Sequence, residues 1–346
     1  MNWFCYRLPN SQEITAGCSE RTIEGFHPGG FVVAPFDCHT HNIITIPSDN
    51  LNHFKNYSDF SEFISRAHNF EMKILSGKNC FQILPTNSTE RSEHRAEVEE
   101  FIRHHKNRQG GKTIAARILK APLPITVEIL FKRLCEVYTS AFVFSFASEE
   151  TGTWIGATPE LLLKRDSDAY STMALAGTRP SGINGEWDQK NINEQSLVTR
   201  YIIDCLTKAG LDVSTEERFT KKAGPVEHLC TPISGKTSSG LNDSTTLFEQ
   251  LARDLSPTPA LCGDIKEESM RLIARHEHFN RGFYGGFIGE TDSDGFGSLY
   301  VNLRSGRITD NHIYLFGGGG ITLASSPDSE WEETERKLST LLSQLS

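Results

Sequence analysis

Glu330, Glu333 and Lys337 stand near the carboxyl end in the stretch FGGGGITLASSPDSEWEETERK, introduced by Ser326 and Pro327. Ser followed by Pro reads as a helix N-cap and first helical residue, so a helix is predicted from Pro327 onward. Spacings of three and four then put two carboxylates and an ammonium on one helix face. A surface ion pair accounts for that pattern by itself. The four glycines just upstream, Gly317 to Gly320, and comparable stretches elsewhere favour a site. Alone, the glycine run reads as a tight bend rather than a dinucleotide fingerprint, because Ile321 to Ala324 looks extended and no helix opens inside the motif. Its glycines would still let backbone amides approach a ligand carboxylate.

Other candidates are scattered along the chain. Glu194 shares a helical stripe with Val198, Tyr201 and Cys205, which places an acid on an otherwise inward face. A partly buried carboxylate needs a cation, and solvent at the helix end could serve instead; spacing leaves both open. Lys112 opens a strand, Glu160 sits in GATPEL, His228 lies in EHLCTPISG and Arg304 ends a strand from Leu299 to Leu303. Each alone reads as an ordinary solvated side chain. His39 and His41 in DCHTH, if on a strand, point to one side as metal ligands do in barrel hydrolases. A barrel also needs strands alternating with helices, and they do not alternate here. Surface or loop histidines are the reading.

The elements that must position these residues come in groups. Strand-like runs include 31–35 and 112–117. A helix follows Ser58 with Phe60, Phe63, Ile64 and Ala67 at helical spacing, and a second is expected from about Thr89 to His105. Further strands are expected at 140–148, 152–156, 160–165, 284–290, 298–304 and 312–316, and helices at about 191–208, 244–253 and 266–275. Grouped strands with inserted helices imply an α+β fold with mainly antiparallel sheets. No linker or short-period repeat divides the 346 residues, so one domain over 1–346 is expected.

Composition narrows the function classes. A formal charge of −9 argues against nucleic acid. No apolar run approaches the roughly eighteen residues of a membrane helix, and no signal-like leader is visible, so a cytoplasmic location is expected. The eight cysteines form no C-x-x-C pair and read as reduced thiols. No coiled-coil seam suggests obligate assembly, so a monomer is expected.

Taken together, KTIAAR (112–117), GATPELLL (156–163), LAGTRPSG (175–182), EHLCTPISG (227–235), SPTPALCG (256–263), HEHFNRGFYGG (276–286), VNLRSGRI (301–308) and the C-terminal stretch resemble the chorismate-utilising enzymes. They run in the family's order from about 90 to 340, and FVVAPF at 31–36 extends the match. The resemblance implies two face-packed, mainly antiparallel sheets with helices outside, as in anthranilate synthase component I. Water-adding members have lysine where Lys112 stands, aminodeoxychorismate synthases carry a lysine where Ala176 stands, and SPTPALCG lacks the G-x-P-K ending of salicylate and anthranilate synthases. The pattern is most similar to the isochorismate synthases, with salicylate synthase the alternative; a metal-dependent hydrolase or a non-catalytic binding protein is more remote.

The resemblance also assigns roles. It implies a Mg²⁺-dependent isomerase acting on chorismate and feeding menaquinone or siderophore biosynthesis. Lys112 would be the general base and Glu160 the general acid. Glu194 and Glu333 would hold Mg²⁺, with Glu330 close by. Arg304, Tyr284 and the backbone at Gly318 and Gly320 would bind the enolpyruvyl carboxylate, and Lys337, His228, Gly177 and Thr178 complete the pocket. Two departures stand out: Ser256, where many relatives have histidine or glutamine and ring contacts could change, and a 183–190 segment shorter than usual, with Asn191 where an acid is common, which could weaken a contact behind the metal.

Overall fold

Several strands are covered on both faces: Phe142–Ser148 and Gly152–Thr158 are buried at every residue. The computed structural model describes residues 1–66, 72–167, 169–183, 185–237 and 245–346. One sheet runs, in spatial order, β6 (Asn50–Phe54), β2 (Ile14–Ser19), β1 (Asn2–Arg7), β8 (Phe142–Ser148), β9 (Gly152–Thr158), β17 (Ser305–Thr309), β18 (His312–Ile321) and β7 (Thr113–Pro122). The other runs β12 (Leu211–Thr215), β14 (Val226–Thr237), β11 (Ala169–Pro180), β10 (Leu161–Asp166), β16 (Gly297–Val301), β15 (Phe287–Thr291), β4 (Gly30–Val33), β5 (Ile44–Pro47) and β3 (Ile23–Glu24). In addition, β13 (Phe219–Ala223) pairs with β14. Every assigned pairing between strands is antiparallel.

The sheets pack face to face over an aromatic layer of Phe4, Phe31, Phe142, Phe144, Phe146, Trp154 and Phe316. Large rings on both inner faces remove the most apolar area per residue from water, which makes this layer the main adhesive between the sheets. Helices α1 (Tyr57–Arg66), α3 (Val127–Val137) and α7 (Pro327–Leu342) cover the outer face of the first sheet through Phe60, Leu130, Phe131, Leu338 and Leu341. On the second sheet, α4 (Gln189–Lys208) and α5 (Thr245–Leu255) bury Val198, Ile202, Phe248 and Leu251. A smaller cluster joins α2 (Arg91–Asn107) and α6 (Lys266–His276) to β7 and β18 through Phe101, Ile273, Ala115 and Ile321. The expected architecture is therefore present: two antiparallel sheets face to face with helices outside.

Differences from the sequence reading have local causes. Gly317 to Gly320 are not a bend; they lie inside β18, paired in register with Arg117 to Ile114 of β7. Glycine is there because Leu338 and Glu330 crowd the strand's face, not because the chain turns. The strand expected at 298–304 stops at Val301, and Arg304 stands at φ 49 in the turn leading to β17, which the pattern did not announce. The strand expected from 284 starts at Phe287, since Gly282 to Gly285 form a turn. The DCHTH segment is a turn with His39 and His41 exposed, in line with the loop reading. Ala67 and residue 244 lie outside the described residues. All eight cysteines are unpaired.

Candidate active site

The helix predicted at the carboxyl end begins at Pro327, and the Ser326 hydroxyl accepts from the Ser329 amide at 3.5 Å. Its inward face runs antiparallel to the glycine strand. Lys337 Nζ donates to Glu333 Oε1 at 2.6 Å and to the Gly318 carbonyl at 2.7 Å. The three charged residues do share a face, and their partners lie on the sheet and on α4 rather than in solvent. Glu330 is 3% exposed and takes its cation from Lys190, 3.2 Å away. Lys190 is four residues before Glu194 on α4, a partner the sequence reading passed over although the spacing puts both on one face.

Glu194 finds its cation in Lys112. The ammonium donates at 2.6 Å, with side-chain exposures of 3% and 15%. Asp188 caps α4 by accepting from the Asn191 amide at 2.8 Å, and Val198, Ile202 and Leu206 fasten the helix to the second sheet, so Glu194 faces inward one turn before the apolar stripe. The Lys112 backbone is held from both sides: its amide donates to Asp264 Oδ1 at 3.2 Å, and its carbonyl accepts from the Asp264 amide at 3.0 Å. Gly320 lets the lysine pass, since a Cβ there would sit 2.7 Å from Lys112 Cε and 3.2 Å from Glu194 Oε1.

Glu160 lies between β9 and β10, 4% exposed. Burial pushes its carboxyl up to about 8, against the opposing pull of Lys221, Lys112, Lys337 and Arg304. At neutral pH it is mostly a neutral acid with a proton to give. His228 behaves oppositely: burial, then the neighbouring Arg304 and Lys337, push it down to about 3. Its Nε2 lies 3.2 Å from Arg304 Nη2, which can only donate, so Nε2 accepts and Nδ1 carries the hydrogen that reaches the Gly177 carbonyl at 2.9 Å. His228 is thus a neutral strut that orients the guanidinium. Arg304 also donates to Thr340 Oγ1 at 3.2 Å, and among the described residues no carboxylate lies within ion-pair distance of it. Burial lowers it to about 10, so it stays charged: a buried cation facing a cavity, suited to a bidentate carboxylate.

Gly177 sits at φ 75 in a bulge, where Ala176 pairs with Leu229 and Thr178 with His228. The bulge turns Thr178 so that its amide donates to Asn191 Oδ1 at 2.9 Å. In this chain Asn191 is therefore a strut for the bulge. Tyr284, buried and raised to about 12 chiefly by burial, stacks on Phe316 with centroids 5.2 Å apart.

These pieces border one pocket that opens to solvent. Glu160, Gly177, Thr178, Glu194, His228, Tyr284, Arg304, Gly318, Gly320 and Lys337 all line it, with Ile114, Leu175, Leu303 and Phe316 as apolar wall. Lys112, Glu330 and Glu333 are not on the wall; they stand one layer behind it, against Glu194, Gly319 and Lys337. Ser256 does not line the pocket, whereas Ala260 and Leu261 of the same loop do.

Comparison with known proteins places the chain in a family. The family described as "Chorismate binding enzyme" matches residues 35–346, and the chain belongs to that family. It is 34% identical over 261 residues to isochorismate synthase MenF of Bacillus subtilis, covering 72% of this chain and 54% of that protein. It is 32% identical over 249 residues to isochorismate synthase EntC of Escherichia coli, covering 68% and 62%. The aligned stretch therefore spans somewhat over half the length of these relatives. The structure of MenF, the menaquinone-specific isochorismate synthase of Escherichia coli, superposes with TM-score 0.80 at 22% identity over 100% of this chain and 89% of that one. Anthranilate synthase component I of Streptococcus pneumoniae superposes with TM-score 0.71 at 14% identity, covering 99% and 92%. Both structures share the fold.

Proposed function

We propose that the chain is an isochorismate synthase, converting chorismate to isochorismate with Mg²⁺. The observation that carries the reading is a buried carboxylic acid, Glu160, held neutral in the same pocket as an unpaired guanidinium, with Lys112 behind the Glu194 wall.

Water forms a bond to ring C2 and gives a proton to Lys112. The two ring double bonds shift toward C4, the C4–O bond breaks, and Glu160 protonates the departing oxygen. One water enters and one leaves. Acid and base at opposite ends of a concerted displacement need a neutral amine and a protonated carboxyl. Glu160 is in that state already. Lys112 donates to Glu194 at 2.6 Å, and it must give up that proton before it can take one from water.

The residues fit a hard divalent cation. Glu194, Glu330 and Glu333 offer only carboxylate oxygens, and Glu330 Oε2 is buried without a hydrogen-bond partner. Among the described residues no three such side chains stand close enough together to hold a metal ion; each carboxylate is instead balanced by its own lysine. Mg²⁺ at these carboxylates would neutralise the ring carboxylate of the substrate. Arg304, oriented by His228, would take the enolpyruvyl carboxylate together with Tyr284 and the backbone at Gly318 and Gly320. Lys337, Gly177 and Thr178 would close the pocket around the ring.

Incubation with chorismate and Mg²⁺ tests the reading. Isochorismate should accumulate without pyruvate. Salicylate with pyruvate would make it a salicylate synthase, and unchanged chorismate a binding protein.

A further inference from the structure

Lys221 lies behind the candidate acid, outside the set of residues just assigned. It is on β13, whose register places it directly opposite His228 of β14, on the face that borders the pocket. Along β13, Lys221 is half-buried between the exposed Thr220 and Lys222. Its ammonium donates to the carbonyl of Pro159 at 2.8 Å, the residue immediately before Glu160, and reaches Met173 Sδ at 3.4 Å. Among the described residues, no carboxylate stands within ion-pair distance of it. A half-buried cation fixed to a carbonyl and a thioether is costly unless it meets negative charge during turnover.

We propose that Lys221 is a positioning residue for the general acid: its ammonium fixes the Pro159–Glu160 turn and stabilises the carboxylate left when Glu160 gives up its proton. This rests on the reading of Glu160 as the acid. The charged groups around Glu160 are Lys221 from β13, Lys112 before β7, Lys337 from α7 and Arg304 before β17; His228 is neutral. Lys221 opposes the effect of burial most among these four, and burial in turn lowers Lys221 itself. Without it, Glu160 would hold its proton to higher pH and be a weaker acid at neutral pH, whereas a catalytic acid works best near the operating pH.

The test uses Lys221→Gln, which retains a donor for the Pro159 carbonyl but loses the charge, and Lys221→Arg, which retains the charge. The Glu160 carboxylic C=O infrared band, assigned by subtraction of Glu160→Gln, is titrated in each protein. The Glu160 midpoint should rise by about one pH unit or more in Lys221→Gln and return toward the parent in Lys221→Arg. The basic limb of kcat should move with it while KM for chorismate holds. An unmoved midpoint in Lys221→Gln overturns the proposal. Because the band is read without turnover, that result is separable from absence of isochorismate formation by the parent, which would instead refute the reading of the site.

Discussion

Glu160 is where the site's chemistry and its stability meet. Its carboxyl is raised to about 8 by burial, so the folded state holds a proton that the unfolded chain releases near 4.5. A group raised in this way contributes stability fully below the unfolded value and loses it as pH climbs through the folded value. Between about pH 4.5 and 8 the parent should therefore lose stability relative to Glu160→Gln, by an amount on the order of a few kcal/mol, and the difference should level off above that window. Urea unfolding of both proteins across that range checks the sign; a constant difference would show that Glu160 ionises freely. The same variant should lose turnover by about 10²–10⁴-fold, the usual worth of a general acid. The spacing of the Lys112, Glu160, Arg304 and His228 motifs said little about any of this, because each looks like a solvated residue until its surroundings are known. The resemblance to chorismate-utilising enzymes named them, and burial and hydrogen bonds give three of them a state: Glu160 neutral, His228 neutral with hydrogen on Nδ1, Arg304 charged.

At the scale of elements, the glycine strand and the carboxyl-terminal helix act as a pair. The face of α7 was legible from Ser326, Pro327 and the spacing of Glu330, Glu333 and Lys337, because capping and periodicity are local. The conformation of Gly317 to Gly320 was not legible, since glycine permits both a bend and a strand, and the pairing with β7 that decides between them joins residues some two hundred positions apart. Arg304 escaped for a similar reason: its positive φ at the turn into β17 interrupts what reads as one continuous strand. The strand reading of the glycines makes a direct prediction. Gly320→Ala should fold, because its backbone is not in the left-handed region, but the new methyl displaces Lys112 and Glu194. If Lys112 is the base proposed above, a shift of that kind costs about 10²-fold in turnover. Circular dichroism and kcat measured together check it; full activity would mean that the lysine does not need its place.

The whole molecule explains why the site lies where it does. Gly318 and Gly320 belong to the first sheet, Gly177, Thr178 and His228 to the second, Arg304 stands in the turn that joins the two, and α4 and α7 bring carboxylates from the outer layers. Two rigid sheets fixed by an aromatic layer hold acid, guanidinium and glycine strand in one geometry that no single element could supply. Grouped strands announced the sheets, but not which strand ends would meet. Whether water adds at C2 while the C4 hydroxyl leaves, as proposed, is decided by running the reaction with chorismate and Mg²⁺ in H₂¹⁸O. Isochorismate carrying ¹⁸O in its C2 hydroxyl is the predicted result; unlabelled isochorismate, or none at all, would contradict it.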